Sequence, residues 1–291
     1  MMTVAYEGTN FHGWQKQAST AAEPWVAAEG LRTVQAVVER AVREVVREPV
    51  ELMGASRTDA GVHAAGQVAA FTASEERRGA PDERLAPAIN SRLPEDVLVQ
   101  EVRRVHPRFD PVGHCESKGY RYRIWCGASR NVWERRVTAH VRTDLDVSAM
   151  CVAGSRIVGA HDFCAFAAAK HGRLSTVRTV FSCDVSREAS GVVRIDVSGD
   201  GFLYNMVRII AGTLVEVGRG KMSADDVTRA IESKDRRNAG PTMPASGLRL
   251  EWIKYPDAVF DLEGELPMTR GKRMLAERGE EVADDVERSE G

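Results

Sequence analysis

Ser56-Arg57-Thr58-Asp59-Ala60-Gly61-Val62-His63 sets an arginine, an aspartate, two hydroxyls and a histidine between two apolar runs. On its amino side Val50-Glu51-Leu52-Met53 reads as a short strand, and on its carboxyl side Gln67-Val68-Ala69-Ala70-Phe71 reads as a second. Asp59-Ala60-Gly61 supplies turn chemistry between them: Gly61 is free to take a positive φ, and Asp59 can bond the backbone just ahead. The plain reading makes Asp59 a turn former and Arg57 its surface partner. Two later stretches weigh against that reading. Lys118-Gly119-Tyr120-Arg121-Tyr122 and Gly201-Phe202-Leu203-Tyr204-Asn205-Met206-Val207-Arg208 each carry polar handles where an ordinary core element needs none.

Outward from the loop, Val34, Val37, Val38, Ala41, Val42, Val45 and Val46 fall on one helical face, with Thr33 as N-cap and Pro49 beyond the end. A first strand ends at Tyr6, the chain from Ala18 to Gly30 reads as an exposed loop, a short helix is expected near Glu83 to Arg92, and a strand near Val97 to Val102. Strand, helix, strand, helix, strand is the order of a small α/β sandwich. Pro107 to Gly113 holds two prolines and a glycine and is the expected joint. Beyond it come a strand over Tyr120 to Trp125, a helix over Val147 to Val158, and a hairpin of Val177 to Val185 with Val192 to Val197. An apolar helix over Phe202 to Val217, a shorter one over Asp225 to Glu232 and a final strand over Leu248 to Tyr255 complete a second α/β unit.

The 291 residues, 43% hydrophobic and 28% charged, fit a soluble globular chain with room for two domains. No window approaches eighteen apolar residues, and the amino terminus enters a strand with no basic flank or cleavage site, so a cytoplasmic protein without membrane association is expected. Five scattered cysteines with no Cys-x-x-Cys pair suggest neither a disulfide framework nor a zinc site. Charge is uneven: residues 257–291 hold eleven acidic and five basic side chains, so the net −2 of the chain divides into −6 there and +4 over residues 1–256.

With the opening Tyr6-Glu7-Gly8-Thr9-Asn10-Phe11-His12-Gly13-Trp14-Gln15, these motifs closely resemble those of the tRNA pseudouridine synthase A family, from about Tyr6 to Tyr255. Departures are Glu7, where the family usually has aspartate, Ser56, where it commonly has glycine, and a longer run from Phe109 to Lys118. The resemblance implies an α+β fold of two pseudo-symmetric, RRM-like α/β sandwich halves whose antiparallel sheets meet at a central basic cleft. Residues 1–108 would carry the catalytic Asp loop and 109–256 the Tyr and Arg motifs. Residues 257–291, charge-rich with few large apolar groups, are expected from composition to form an acidic, mobile or weakly helical tail, which the family does not require. The implied reaction isomerises uridine to pseudouridine at positions 38 to 40 of the tRNA anticodon stem-loop, with no cofactor, in a homodimer whose two subunits both touch one tRNA.

By the same resemblance Asp59 is the catalytic carboxylate, acting either by covalent addition or by removing a ribose proton to give a glycal. Tyr120 lies against the flipped uracil, and Arg57 helps displace the base and contacts RNA backbone; Thr58, His63 and Asn205 are grouped with the substrate-binding residues. A carboxylate in a partly dry cleft protonates unless a cation holds it ionised. Arg208, set among Met206, Val207, Ile209 and Ile210, is the candidate, its planar fork able to hold Asp59 through paired hydrogen bonds. Asn205, Arg208 and Gly212 share one helical face, where the glycine permits close approach. Two rival readings are a catalytically silent RNA-binding module, since small α/β sheets also bind RNA without chemistry, and a metal hydrolase using Asp59 and His63. The latter lacks further ligands within the segment.

Overall fold

Alternating burial along Met2–Tyr6 makes the first strand, β1, with Met2, Val4 and Tyr6 facing the core. The computed structural model describes residues 1–16, 31–168 and 175–277, so the loop expected over Ala18–Gly30 lies outside the described residues. After β1 come α1 (Val34–Val46), β2 (Met53–Gly54), β3 (His63–Ala70), α2 (Asp82–Asn90) and β4 (Val97–Val102). The second half runs β5 (Ser117–Cys126), β6 (Ala139–Val141), α3 (Val147–Ser155), β7 (Gly159–Asp162), β8 (Val177–Arg187), β9 (Val193–Gly199), α4 (Met206–Gly218), α5 (Ala224–Ser233) and β10 (Leu248–Lys254), and α6 (Arg270–Glu277) follows. The fold is mixed α+β, and among the described residues no helix is long and apolar enough to cross a membrane.

Among the described residues one sheet of ten strands carries both halves in the order β4-β1-β3-β10-β5-β9-β8-β7, with β2 on β3 and β6 on β5. The circuit β4-β1-β3-β2 of the first half repeats as β10-β5-β9-β8 in the second, each half setting its first strand between its third and fourth. The seam joins inequivalent strands, β3 of one half to β10 of the other. At the seam Leu250 of β10 pairs in parallel with Ala64 of β3 and antiparallel with Tyr120 of β5. The end of the Asp59 loop and the Tyr120 strand therefore stand two strand spacings apart, about 10 Å. One apolar core runs through both halves, from Val4 and Val38 to Ile195 and Leu214.

Several elements differ from the sequence expectation. Val50–Leu52 is not a strand, although Val50 and Leu52 are buried. Two α1 side chains take its backbone instead: Glu39 accepts the Leu52 amide at 3.0 Å, and Gln35 donates to the Leu52 carbonyl at 2.7 Å. The helix expected from Phe202 starts at Met206, because Asn205 sits in the left-handed region at φ 62° and folds the preceding residues into a turn. α3 stops at Ser155, three residues short of Val158, and β6 and β7, of three and four residues, are too short to show a period.

The tail expected from Asp257 begins as packed structure. Val259 is fully buried against Ala70 and Phe109, with Tyr255, Phe260 and Leu266 around it. The Arg270 amide donates to the Gly113 carbonyl at 2.7 Å, and its guanidinium pairs with Asp200 at 2.9 Å. Its acidic composition masked three apolar anchors; residues 278–291 lie outside the described residues.

Candidate active site

The Asp59 turn is closed by backbone alone, the Val62 amide donating to the Asp59 carbonyl at 3.1 Å while Gly61 takes φ +78°. That closure leaves the carboxylate free of the turn duty it was read as able to perform. The opening motif braces the loop from behind: the Trp14 amide donates to the Thr58 carbonyl at 3.0 Å, and the Gly61 amide to the Phe11 carbonyl at 3.2 Å. Arg57, its partner in the plain reading, is exposed and has no hydrogen bond or ion pair among the described residues.

Asp59 instead meets Arg208, Nη1 donating to Oδ2 at 3.2 Å. The same Nη1 donates to Asn205 Oδ1 at 2.8 Å, and Nε donates to the Met243 carbonyl at 2.7 Å. The guanidinium thus serves three acceptors, and the paired fork on Asp59 expected from sequence is a single bond. Asn205 precedes α4 and so does not share its face with Arg208 and Gly212; its side chain accepts from Arg208 from the turn, while on the helix a Cβ at Gly212 would collide with the Pro241 carbonyl oxygen. Burial raises the Asp59 carboxyl above its ordinary range; the Arg208 charge and hydrogen bond oppose this without reversing it. The carboxylate is therefore held at some electrostatic cost, a feature that clusters at functional sites.

Tyr120 is buried on β5 with its ring edge-on to Phe202 at 5.3 Å, and its hydroxyl lies 3.0 Å from Ser56 Oγ. Burial pushes its phenol up to about 12, the Ser56 hydrogen bond opposing. Ser56 is fixed by Gln67, fully buried on β3, which accepts the Ser56 amide at 3.2 Å and donates to its carbonyl at 2.6 Å. Lys118 Nζ reaches the Ala55 carbonyl and Ser56 Oγ, both at 3.4 Å. Sequence reading missed Ser56, Gln67 and Lys118 as site residues. Gln67 could have been found, since it alone is polar in the run Ala64 to Phe71.

The remaining expected site residues turn inward. Thr58 is buried, its hydroxyl 2.8 Å from that of Tyr6, so it fixes the loop to β1. His63 starts β3 and is buried; its Nδ1 accepts the Gly8 amide at 2.9 Å, and burial lowers its pKa against the pull of Glu7. Asp59 and His63 therefore have separate partners, and among the described residues no group of three His, Cys, Asp or Glu side chains is arranged to hold a metal ion. Cavities of about 990 Å³ beside α5 and about 390 Å³ between Glu7, His63 and Arg249 do not include Asp59.

Two halves of like strand order, joined where a carboxylate meets an arginine beside a buried tyrosine, form the architecture implied for pseudouridine-forming isomerases. A family model described as tRNA pseudouridine synthase matches residues 2–110 and 153–256. A tRNA pseudouridine synthase A of Acetivibrio thermocellus is 42% identical over 254 residues, covering 87% of this chain and 98% of that protein. A tRNA pseudouridine synthase A 2 of Clostridium tetani is 40% identical over 258 residues, covering 87% and 97%, and a tRNA pseudouridine synthase A of Ruminiclostridium cellulolyticum 39% over 254 residues, covering 87% and 98%. This chain belongs to the tRNA pseudouridine synthase family, whose members are isomerases.

Proposed function

We propose that this chain converts uridine to pseudouridine at positions 38 to 40 of the tRNA anticodon stem-loop, with Asp59 as the reacting carboxylate and no cofactor. The observation that carries the reading is the Asp59–Arg208 pair at 3.2 Å, which spans 149 residues of sequence to join the two halves. The reaction breaks the bond from uracil N1 to ribose C1′, turns the base, and forms a bond from C5 to the same carbon. The C5 proton leaves and N1 gains one, so the change is an isomerisation. Attack by the carboxylate and removal of a ribose proton both start from ionised Asp59, which Arg208 favours.

Tyr120, with Ser56 holding its hydroxyl, borders the position of the extruded base, and Arg57 is exposed to contact RNA backbone. Thr58, His63 and Asn205 act in this reading by fixing the loop and Arg208 rather than by touching substrate. Residues 1–108 and 109–256 are the two functional halves. The enzyme works as a cytoplasmic homodimer whose subunits share one tRNA.

The test is to incubate purified protein with a tRNA pool lacking anticodon stem-loop pseudouridine, map the product, and sediment the protein alone. New pseudouridine at 38, 39 or 40 and a dimer mass are expected. Pseudouridine elsewhere would overturn the site choice, and tRNA bound but never modified would make the chain the silent binding module.

A further inference from the structure

Trp133 is 94% exposed, more than any other large apolar side chain among the described residues, and Val132 beside it is 58% exposed. The segment that holds it is a built turn. Asn131 Oδ1 accepts the amides of Trp133 at 3.0 Å and Glu134 at 3.3 Å, and the Thr138 hydroxyl donates to the Glu134 carbonyl at 2.9 Å. The Glu134 carboxylate pairs with Arg123 of β5 at 3.2 Å. An indole held out in water by such a scaffold calls for a ligand.

Its neighbours indicate which kind. Arg130 and Arg135 are exposed and have no carboxylate partner among the described residues, and Arg136 lies 3.6 Å from Glu7. An aromatic face flanked by unneutralised guanidinium groups suits a nucleic-acid strand, whose bases stack and whose phosphates pair. A second copy of this chain would bring its own arginines and only a small apolar patch. The turn also borders the candidate site: Ser246 Oγ donates to the Thr138 carbonyl at 3.3 Å, and Ala245 stands against Gly61 of the Asp59 turn, 3.4 Å from where a Cβ would lie.

We infer that residues 129–138 form an RNA-contact turn in which Trp133 stacks on an unpaired base of the tRNA while Arg130 and Arg135 meet the flanking phosphates. This rests on the tRNA-modifying reading above. It assigns a substrate contact within the stretch 111–152, which lies between the two segments matched by the family model.

The experiment titrates an unmodified full-length tRNA transcript into Asp59→Asn protein, where binding is read without turnover, with and without a second change at the turn. Trp133→Ala should weaken binding by about tenfold and Trp133→Phe by much less, since any aromatic face can stack. Arg135→Gln should lower the slope of log affinity against log salt by about one. Tryptophan emission of the Asp59→Asn protein, less that of the Trp133→Phe double variant, should quench on adding tRNA. Unchanged affinity and no quench, in a chain whose parent binds and modifies tRNA, would overturn the RNA-contact turn alone. A parent that neither binds nor modifies tRNA would sink the reading beneath it. Loss of the dimer on sedimenting Trp133→Ala would make the turn an interface between copies and overturn the proposal as well.

Discussion

Arg208 divides one guanidinium among Asp59, Asn205 and the Met243 carbonyl, so its shape matters as much as its charge. Lysine offers one compact ammonium that cannot reach three acceptors in those directions. Arg208→Lys should stay folded and slow single-turnover pseudouridine formation about thirty- to more than a hundredfold, the effect of losing roughly 2–3 kcal/mol of positioning. A parental rate would sever the pairing from the chemistry. The pH dependence belongs to the same residues. Burial raises the Asp59 carboxyl, and the reaction needs its ionised form, so kcat should fall with acid in a limb lying above the ordinary carboxylate range. Tyr120, pushed up to about 12, keeps its proton and should add no alkaline limb below about pH 10. A pH–rate profile flat down to the ordinary carboxylate value would contradict the burial of Asp59.

The loop holding Asp59 acts as an element only because its neighbours pin both ends: β1 through Tyr6 and Thr58, the opening motif through Trp14 and Gly61, and β3 through Gln67. Gln67→Leu keeps the volume but leaves the buried Ser56 amide and carbonyl unpaired. It should cost about 2–4 kcal/mol of stability and misplace the hydroxyl that meets Tyr120, measured by a thermal melt beside the pseudouridine assay. An unchanged melt would show that water or a shift of the loop replaces the amide. Elements of this kind explain what could be read from sequence. α1, β4 and the β8–β9 hairpin were legible because an apolar period over many residues reports which face is buried. Asp59, Tyr120 and Arg208 were singled out by motif resemblance, and the structure pairs Asp59 with Arg208 and sets the Tyr120 hydroxyl against Ser56. Val50–Leu52 was misread because its apolar pattern is real while its backbone partners, Gln35 and Glu39, come from a helix. The start of α4 was misread because nothing in the apolar pattern of Phe202 to Val217 announces the left-handed Asn205. Thr58 and His63 were grouped with the substrate contacts through the motif they belong to, and a motif does not say which way a side chain points; both are buried, on Tyr6 and on the Gly8 amide.

At the scale of the whole molecule, β10 closes the seam between halves, and the chain immediately after it returns to cover the joint. Val259, Phe260 and Leu266 shield Phe109 and Ala70, and Arg270 ties Gly113 to Asp200, just ahead of the turn that leads to Arg208. Ending the chain at Tyr255 should therefore lower stability by on the order of 3 kcal/mol, against a chain ending at Glu277 as control. Activity should fall with it, contrary to the dispensable tail expected from composition; equal melts would show that the covering contributes little. In the proposed function all three scales meet in Asp59, one carboxylate held between two halves and proposed to perform the isomerisation. Because Asp59 has a raised pKa in the folded chain, its ionisation subtracts from stability at neutral pH, and that penalty fades as pH falls through the raised value toward the ordinary one. Asp59→Asn keeps the shape and removes the charge. The decisive measurement is single-turnover pseudouridine formation by this variant on unmodified tRNA, beside its tRNA affinity and its melt at neutral pH. The account predicts no product, parental affinity, and a melting temperature at or above that of the parent; product at anything near the parental rate would contradict it.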